Sequence, residues 1–305
     1  MGAKFRFGYQ LSEDDESSPV AVAQRAEELG FDVVLVSDHV GPGLSPLIAL
    51  SAIAQATEQI RLGTLVLNND MRNPVQLAWE TATLDRLSQG RFELGLGAGH
   101  TSQEYIATGI RFEEPRQRKA RLLESVEVVR RLLAGEVVTY HGEHLHIDEA
   151  QIDASRQKRL PILVGGNGAA LLGHAGAHAD IIGLQGLGRI RPDGHRHAAK
   201  WDPLWLTAQI DQVRAGAGDR FDDLELNALV QVTRITDDRT AALAQICERV
   251  EGLTIEQADA IPYLLVGTVD EIVDKLATCH ARWGISYFVV RELESFAPVI
   301  AALRQ

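Results

Sequence analysis

Eight short apolar runs recur along the chain, and they are mostly apolar throughout rather than alternating. They are Phe5–Gln10, Val33–Ser37, Leu62–Leu67, Phe92–Leu96, Ile162–Gly165, Ile181–Leu184, Glu225–Val232 and Ile285–Val290. Runs apolar throughout suit strands covered on both faces, as in parallel sheets. Helical stretches of roughly 12–18 residues separate them, so strand and helix alternate about eight times. Eight parallel strands in 305 residues predict a closed (β/α)8 TIM barrel. An open doubly wound sheet is the alternative. No stretch has a linker composition, so residues 1–305 read as one domain.

The helix boundaries support this rhythm. Ser18-Pro19, Ser45-Pro46 and Asn73-Pro74 each put a capping side chain ahead of a proline at the first helical position. Thr268-Val-Asp-Glu271 is a capping-box pattern, and Val269, Ile272, Leu276, Cys279 and Trp283 then follow at helical spacing. Gly30, Gly90, Gly135 and Gly284 stand where left-handed helix stops are expected. Two insertions interrupt the alternation, at about 136–161 and 185–202. The first contains a predicted hairpin over Val137–Ile147, and the second is rich in glycine, arginine and histidine.

The net charge of −12 argues against nucleic acid or an anionic membrane as a partner. No apolar run approaches the roughly 20 residues that span a bilayer, and no secretory signal is evident at the start. Cys247 and Cys279 cannot build a disulfide framework and are expected to stay reduced. A cytoplasmic enzyme acting on a small molecule is the expectation.

Barrel chemistry sits at the C-terminal ends of the strands. Those ends read Gln10, Ser37-Asp38-His39, Asn68-Asn69, Gly97-Ala-Gly-His100, Gly165-Gly-Asn-Gly168, Gln185, Arg234 and Arg291. Gly165–Gly168 precedes a helix, so its backbone amides could seat a phosphate; tight chain reversal is the plainer reading of four such residues. Asp38-His39 could serve acid–base chemistry, or could be a capping aspartate beside an exposed histidine. His144-x-His146 and His195-x-His197 have metal-like spacing, but neither has a third ligand nearby, and no metal is expected.

Taken together the blocks are more specific. Ala26-Glu-Glu-Leu-Gly-Phe-Asp32 with Ser37-Asp-His39, Arg61-Leu-Gly-Thr-Leu-Val-Leu67, and Arg72-Asn-Pro-Val-Gln-Leu-Ala78 open the series. Leu87–Gly99, Tyr140–Leu145, Pro161–Gly168, Val266–Ile272 and Ile285–Val290 continue it. In order and spacing they resemble the luciferase-like monooxygenase superfamily, and within it the branch using the deazaflavin coenzyme F420.

The resemblance implies one flavin-shaped site at the barrel mouth. It implies a cis peptide between Leu65 and Val66 beneath the ring, ring-edge contacts from Asn68, Ala98 and Gly99, and a phosphate site at Gly165, Gly166, Asn167 and Gly168. Asp38, His39 and His100 would line the reacting face, His39 as the proton-transfer residue. Gln10, Arg291 and a lid carrying Arg189 and Arg191 would meet the substrate or the cofactor's anionic tail. The implied activity is hydride transfer at the deazaflavin C5, with reduction of an activated C=C or C=N bond favoured. An FMN-dependent monooxygenase fed by a reductase and a non-catalytic flavin-binding protein are the alternatives. A homodimer is also implied, with an F420-reducing enzyme as an indirect partner. His100 stands where the sugar-phosphate dehydrogenase branch carries an acid, and its phosphate-gripping lysines have no counterparts, which argues against glucose 6-phosphate.

Overall fold

The structure is a computed structural model. It describes residues 5–12, 17–41, 43–190 and 197–304, and for 189, 190 and 197 the backbone alone. Eight parallel staves close on themselves. They are β1 (Arg6–Gln10), β2 (Val33–Val36), β3 (Arg61–Thr64) continued by β4 (Leu67–Asn68), β5 (Phe92–Gly97), β8 (Ile162–Gly165), β9 (Ile181–Leu184), β12 (Glu225–Leu229) and β15 (Ile285–Val290). Two hairpins lie between them, β6 (Val138–His141) with β7 (His146–Ala150) and β10 (Leu187–Ile190) with β11 (His197–Ala199); β13 (Val232–Ile235) pairs with β14 (Leu264–Gly267). Tyr9 pairs with Val34 on one side and Val290 on the other, which closes the ring between the first and last staves. The closed barrel is therefore present, not the open sheet.

The helices are α1 (Pro19–Glu28), α2 (Pro46–Ala56), α3 (Pro74–Leu87), α4 (Ser102–Thr108), α5 (Pro115–Leu133), α6 (Ala169–His178), α7 (Pro203–Ala217), α8 (Arg239–Arg249), α9 (Ile255–Ala260), α10 (Val269–Trp283) and α11 (Leu293–Leu303). Ser18 caps α1 through the Ala21 amide and Asn73 caps α3 through Val75 and Gln76. Ser45 makes no such bond. There Pro46 alone presets the first turn and removes one donor that would need a cap. Thr268 and Glu271 form the expected capping box, and Gly30, Gly90, Gly135 and Gly284 all have positive φ.

Apolar side chains fill two regions. The larger lies between staves and helices; the smaller, including Val33, Leu35, Leu163, Tyr287 and Val289, fills the barrel interior. The interior floor is polar. Arg6 bonds both Glu93 and Glu225, Arg61 reaches Glu93 at 2.5 Å, and the Arg6 guanidinium sits 4.5 Å from the Tyr287 ring. Charges at this depth persist only when paired. Among the described residues no helix is long and apolar enough to cross a membrane.

Two expected strands differ from the structure. The run Leu62–Leu67 is broken after Thr64, where the Leu65–Val66 peptide is cis as the resemblance implied. The run Glu225–Val232 ends at Leu229, because the next amides leave the barrel. Val230 donates to Val289, whereas Gln231 and Val232 donate to the Tyr263 carbonyl. That turn carries the chain into β13, which pairs in parallel with β14, a strand absent from the sequence reading.

Candidate active site

The mouth of the barrel opens into a cavity of about 560 Å³, within the range of small-molecule and cofactor sites. Its lining includes Gln10, Asp38, His39, Leu65, Val66, Asn68, Ala98, Gly99, His100, Gly165, Gly166, Asn167 and Arg291. Gly168 adjoins it through Lys119. The predicted residues of six different staves thus converge on one space.

The bulge fits because β5 is small where it passes. A Cβ on Gly95 would fall 1.9 Å from the Thr64 carbonyl oxygen, and one on Gly97 would fall 2.6 Å from Val66. The Phe-Glu-Leu-Gly-Leu-Gly sequence of β5 therefore places its two glycines where the neighbouring stave swings inward. Val66 then stands in the cavity wall.

Asp38 lines the cavity but its carboxylate is fully engaged. It accepts from the Asn68 amide at 2.8 Å and takes a two-pronged contact from Arg72, whose Nη2 lies 2.9 Å from Oδ1. It ties β2 to the segment after the bulge, so its catalytic assignment becomes a bracing one. Asn68 is 5% exposed, and its Oδ1 accepts from the Asp70 amide and the Tyr105 hydroxyl. Its Nδ2 is buried with no partner, although Asn68 lines the cavity. A buried amide donor left this way calls for an acceptor such as an ordered water or a bound group.

His39 and His100 meet edge to face with ring centroids 5.7 Å apart. His39 Nδ1 lies 2.7 Å from Oε1 of Glu104, a buried carboxylate on α4. Glu104 was not among the residues anticipated from sequence. Its signal is weak: it stands four residues after His100, one helical turn, in a segment too short to show periodicity. Arg118 is a second addition. Nearly buried on α5, it donates to the carbonyls of Ala98, Gly99 and Glu113 and lies 4.2 Å from the Phe112 ring. It fixes the turn that carries His100.

The glycine turn after β8 has φ +153° at Gly166 and +105° at Gly168, values that favour glycine. α6 begins at this turn with no side-chain cap, which leaves first-turn amides for an anion. Asn167 is anchored on both ends of its amide, donating to the Leu187 carbonyl and accepting from Gln209, each at 2.8 Å. Lys119, also unanticipated, donates to the Asn167 carbonyl at 2.7 Å.

Other expected residues fall as follows. Gln10 accepts from Arg291 Nε at 3.0 Å, which holds the arginine at the rim. Arg234 is exposed on β13, outside the barrel, and bonds Gln245; the early exit of the chain from β12 moved it off the mouth. The side chain of Arg189 and all of Arg191 lie outside the described residues. Lys200 packs 4.6 Å from the Trp205 ring.

A cavity with an apolar wall at the bulge, Asn68 beside it and a glycine cradle fits a tricyclic ring bearing a phosphorylated chain. Comparison with known proteins agrees. The sequence profile of the luciferase-like monooxygenase family matches residues 6–250. The F420-dependent glucose-6-phosphate dehydrogenase of Nakamurella multipartita is 35% identical over 90% of this chain and 86% of its own. The coenzyme F420-dependent tetrahydromethanopterin reductase of Methanopyrus kandleri superposes with a TM-score of 0.75, at 22% identity, over 98% of this chain and 97% of that one. An F420-dependent secondary alcohol dehydrogenase solved with an F420–acetone adduct gives 0.73 at 21% identity over 97% of each chain.

Proposed function

This chain belongs to the luciferase-like monooxygenase family, and from that premise we propose that it is an F420-dependent oxidoreductase acting on a small organic substrate. Relatives that match it over nearly its whole length carry F420-dependent names, and the single observation that bears most weight is the convergence of Asn68, the glycine turn and the His39–His100 pair on one cavity. When bound, the deazaflavin supplies or accepts a hydride at its C5.

The chain's own residues do the rest. Leu65 and Val66 back the ring position, and Asn68 offers its free amide donor to an acceptor on the bound group. His39, oriented by Glu104, exchanges a proton with the substrate heteroatom or carbon next to the hydride. His100 stands beside it as a contact to the ring carbonyl or the substrate. Reduction of an activated C=C or C=N bond is the favoured direction, because a protonated histidine can quench the charge left by hydride addition.

Glucose 6-phosphate is not the proposed substrate, although relatives are named for it. His100 replaces the acid expected there. The functional test is titration of the protein with reduced deazaflavin and with reduced FMN. Tighter binding of the deazaflavin supports the reading. Preference for FMN, together with oxygen consumption, would instead favour a monooxygenase, because carbon at the deazaflavin 5-position cannot form the oxygen adduct.

The cofactor implies a cellular enzyme that reduces F420 as an indirect partner. We also propose that the chain is a homodimer, in keeping with the resemblance and with Ile48, Trp79 and Leu87 left exposed on α2 and α3. Sedimentation equilibrium at a mass near twice 33.4 kDa is the expected result, and a monomer would contradict it.

A further inference from the structure

Four cations occupy the first turns of α5; Arg116 is exposed, and the other three are not equivalent. Arg121 is paired with Asp70 and Glu113. Arg118 is spent on the carbonyls of the Gly97–His100 turn and on the Phe112 ring. Lys119 faces the cavity beside the glycine turn, with the Asn167 carbonyl as its partner. One carbonyl satisfies one of an ammonium's three donors. Burial and the neighbouring Arg118 guanidinium both depress this ammonium below the usual lysine value, and no carboxylate offsets them among the described residues. In a chain of net charge −12, such a cation left beside uncapped helix amides calls for an anion.

The position names the anion. A Cβ built on Gly168 would lie 3.2 Å from Lys119 Nζ, so the ammonium approaches the turn closely enough to share one ligand with it. The ring end of the cavity, marked by Asn68 and Val66, lies on the far side of Gly97 and Gly165. We propose that Lys119 is the counter-ion of a phosphate on the cofactor's side chain, clamping that group between α5 and the Gly165–Gly168 turn. This rests on the reading of the turn as the cofactor's phosphate seat. The sequence reading assigned that seat to glycines and backbone alone; the structure adds a charged side chain from a helix far away in sequence.

The test compares two ligands on the same protein: the phosphorylated deazaflavin and its dephosphorylated ribityl form, each followed by ligand fluorescence at equilibrium. The wild type should bind the phosphorylated form more tightly, and raised salt should narrow the difference. Lys119→Met should weaken the phosphorylated form roughly ten- to a hundredfold, as for loss of a charge-assisted hydrogen bond. It should leave the dephosphorylated form within about twofold, and Lys119→Arg should restore most of the loss. Thermal melting of each variant confirms the fold.

A wild type that does not distinguish the two ligands would overturn the phosphate seat itself. Discrimination kept in full by Lys119→Met would overturn the role of Lys119 while leaving the seat intact. Equal weakening of both ligands would show that Lys119 only props the Asn167 carbonyl, and would likewise overturn the proposal.

Discussion

His39 Nδ1 and Glu104 Oε1 are 2.7 Å apart, and the carboxylate is 7% exposed. An ionised carboxylate only accepts, so the neutral imidazole keeps its proton on Nδ1 and presents Nε2 as the basic nitrogen. Glu104 thereby chooses which nitrogen meets the substrate. Glu104→Gln keeps the shape but can offer a donor to Nδ1 and favour the other tautomer. Turnover should fall by about tenfold or more, as when a histidine's orienting partner is lost, while deazaflavin affinity stays within about twofold. Equal turnover in the variant would remove the orienting role.

His39 itself carries the larger expectation. General acid–base catalysis is typically worth about 10²–10⁴-fold, and His39→Ala should lose turnover by that order with the cofactor still bound. His100→Ala should have a smaller effect on turnover and a larger one on KM. If the two outcomes are exchanged in steady-state kinetics, the proton-transfer role belongs to His100.

Why these residues emerged from sequence unevenly follows from where they sit. The staves were legible because both-face burial makes each a solid apolar run, and because glycines at positions such as Gly30 and Gly284 end the preceding helix. Gln10, His39, Asn68, His100 and Gly165–Gly168 were legible because a barrel puts stave ends at its mouth. Glu104, Arg118 and Lys119 were not, because they reach the mouth from helices rather than stave ends, Glu104 from a helix of seven residues and the other two from the polar first turns of α5. Asp38 was placed with the chemistry by adjacency to His39; an arginine 34 residues away gave it a different task. Leu229 could not be distinguished as the end of its strand, since Val230 and Val232 continue the apolar run.

Lys275 supplies a test of pH dependence. It is 6% exposed on α10, its ammonium donates to the Ala258 carbonyl at 3.1 Å, and burial pushes its pKa down to about 8. The unfolded chain holds that proton up to about 10.5, so between these values the unfolded state binds more protons and stability rises with pH. The contribution is fully present above 10.5 and is lost as pH falls through 8. At pH 7 the group is therefore charged and buried at a cost, and Lys275→Met should raise the melting temperature by several degrees. The gain should shrink as pH is raised from 8 toward 10.5. A gain independent of pH, or none at pH 7, would refute the assignment.

The Asp38–Arg72 pair bears on stability and cofactor affinity together. Asp38 side-chain exposure is 5% and that of Arg72 is 19%, so Asp38→Asn leaves a mostly buried guanidinium without its charge. Breaking such a pair from one side typically costs about 3–5 kcal/mol, and denaturant unfolding should show a loss near the low end, since Arg72 retains some contact with water. The same carboxylate holds the Asn68 amide, and Asn68 lines the cavity with its Nδ2 buried and unpartnered. Loosening that anchor should weaken deazaflavin binding even under conditions where the variant is fully folded. The double variant Asp38→Asn/Arg72→Met should recover much of the stability, because no unpaired charge remains. It should not recover the affinity, because Asn68 is still released from Asp38. Recovery of both would show that Asp38 only neutralises Arg72; recovery of stability alone is the outcome expected of a residue that braces the ring contact.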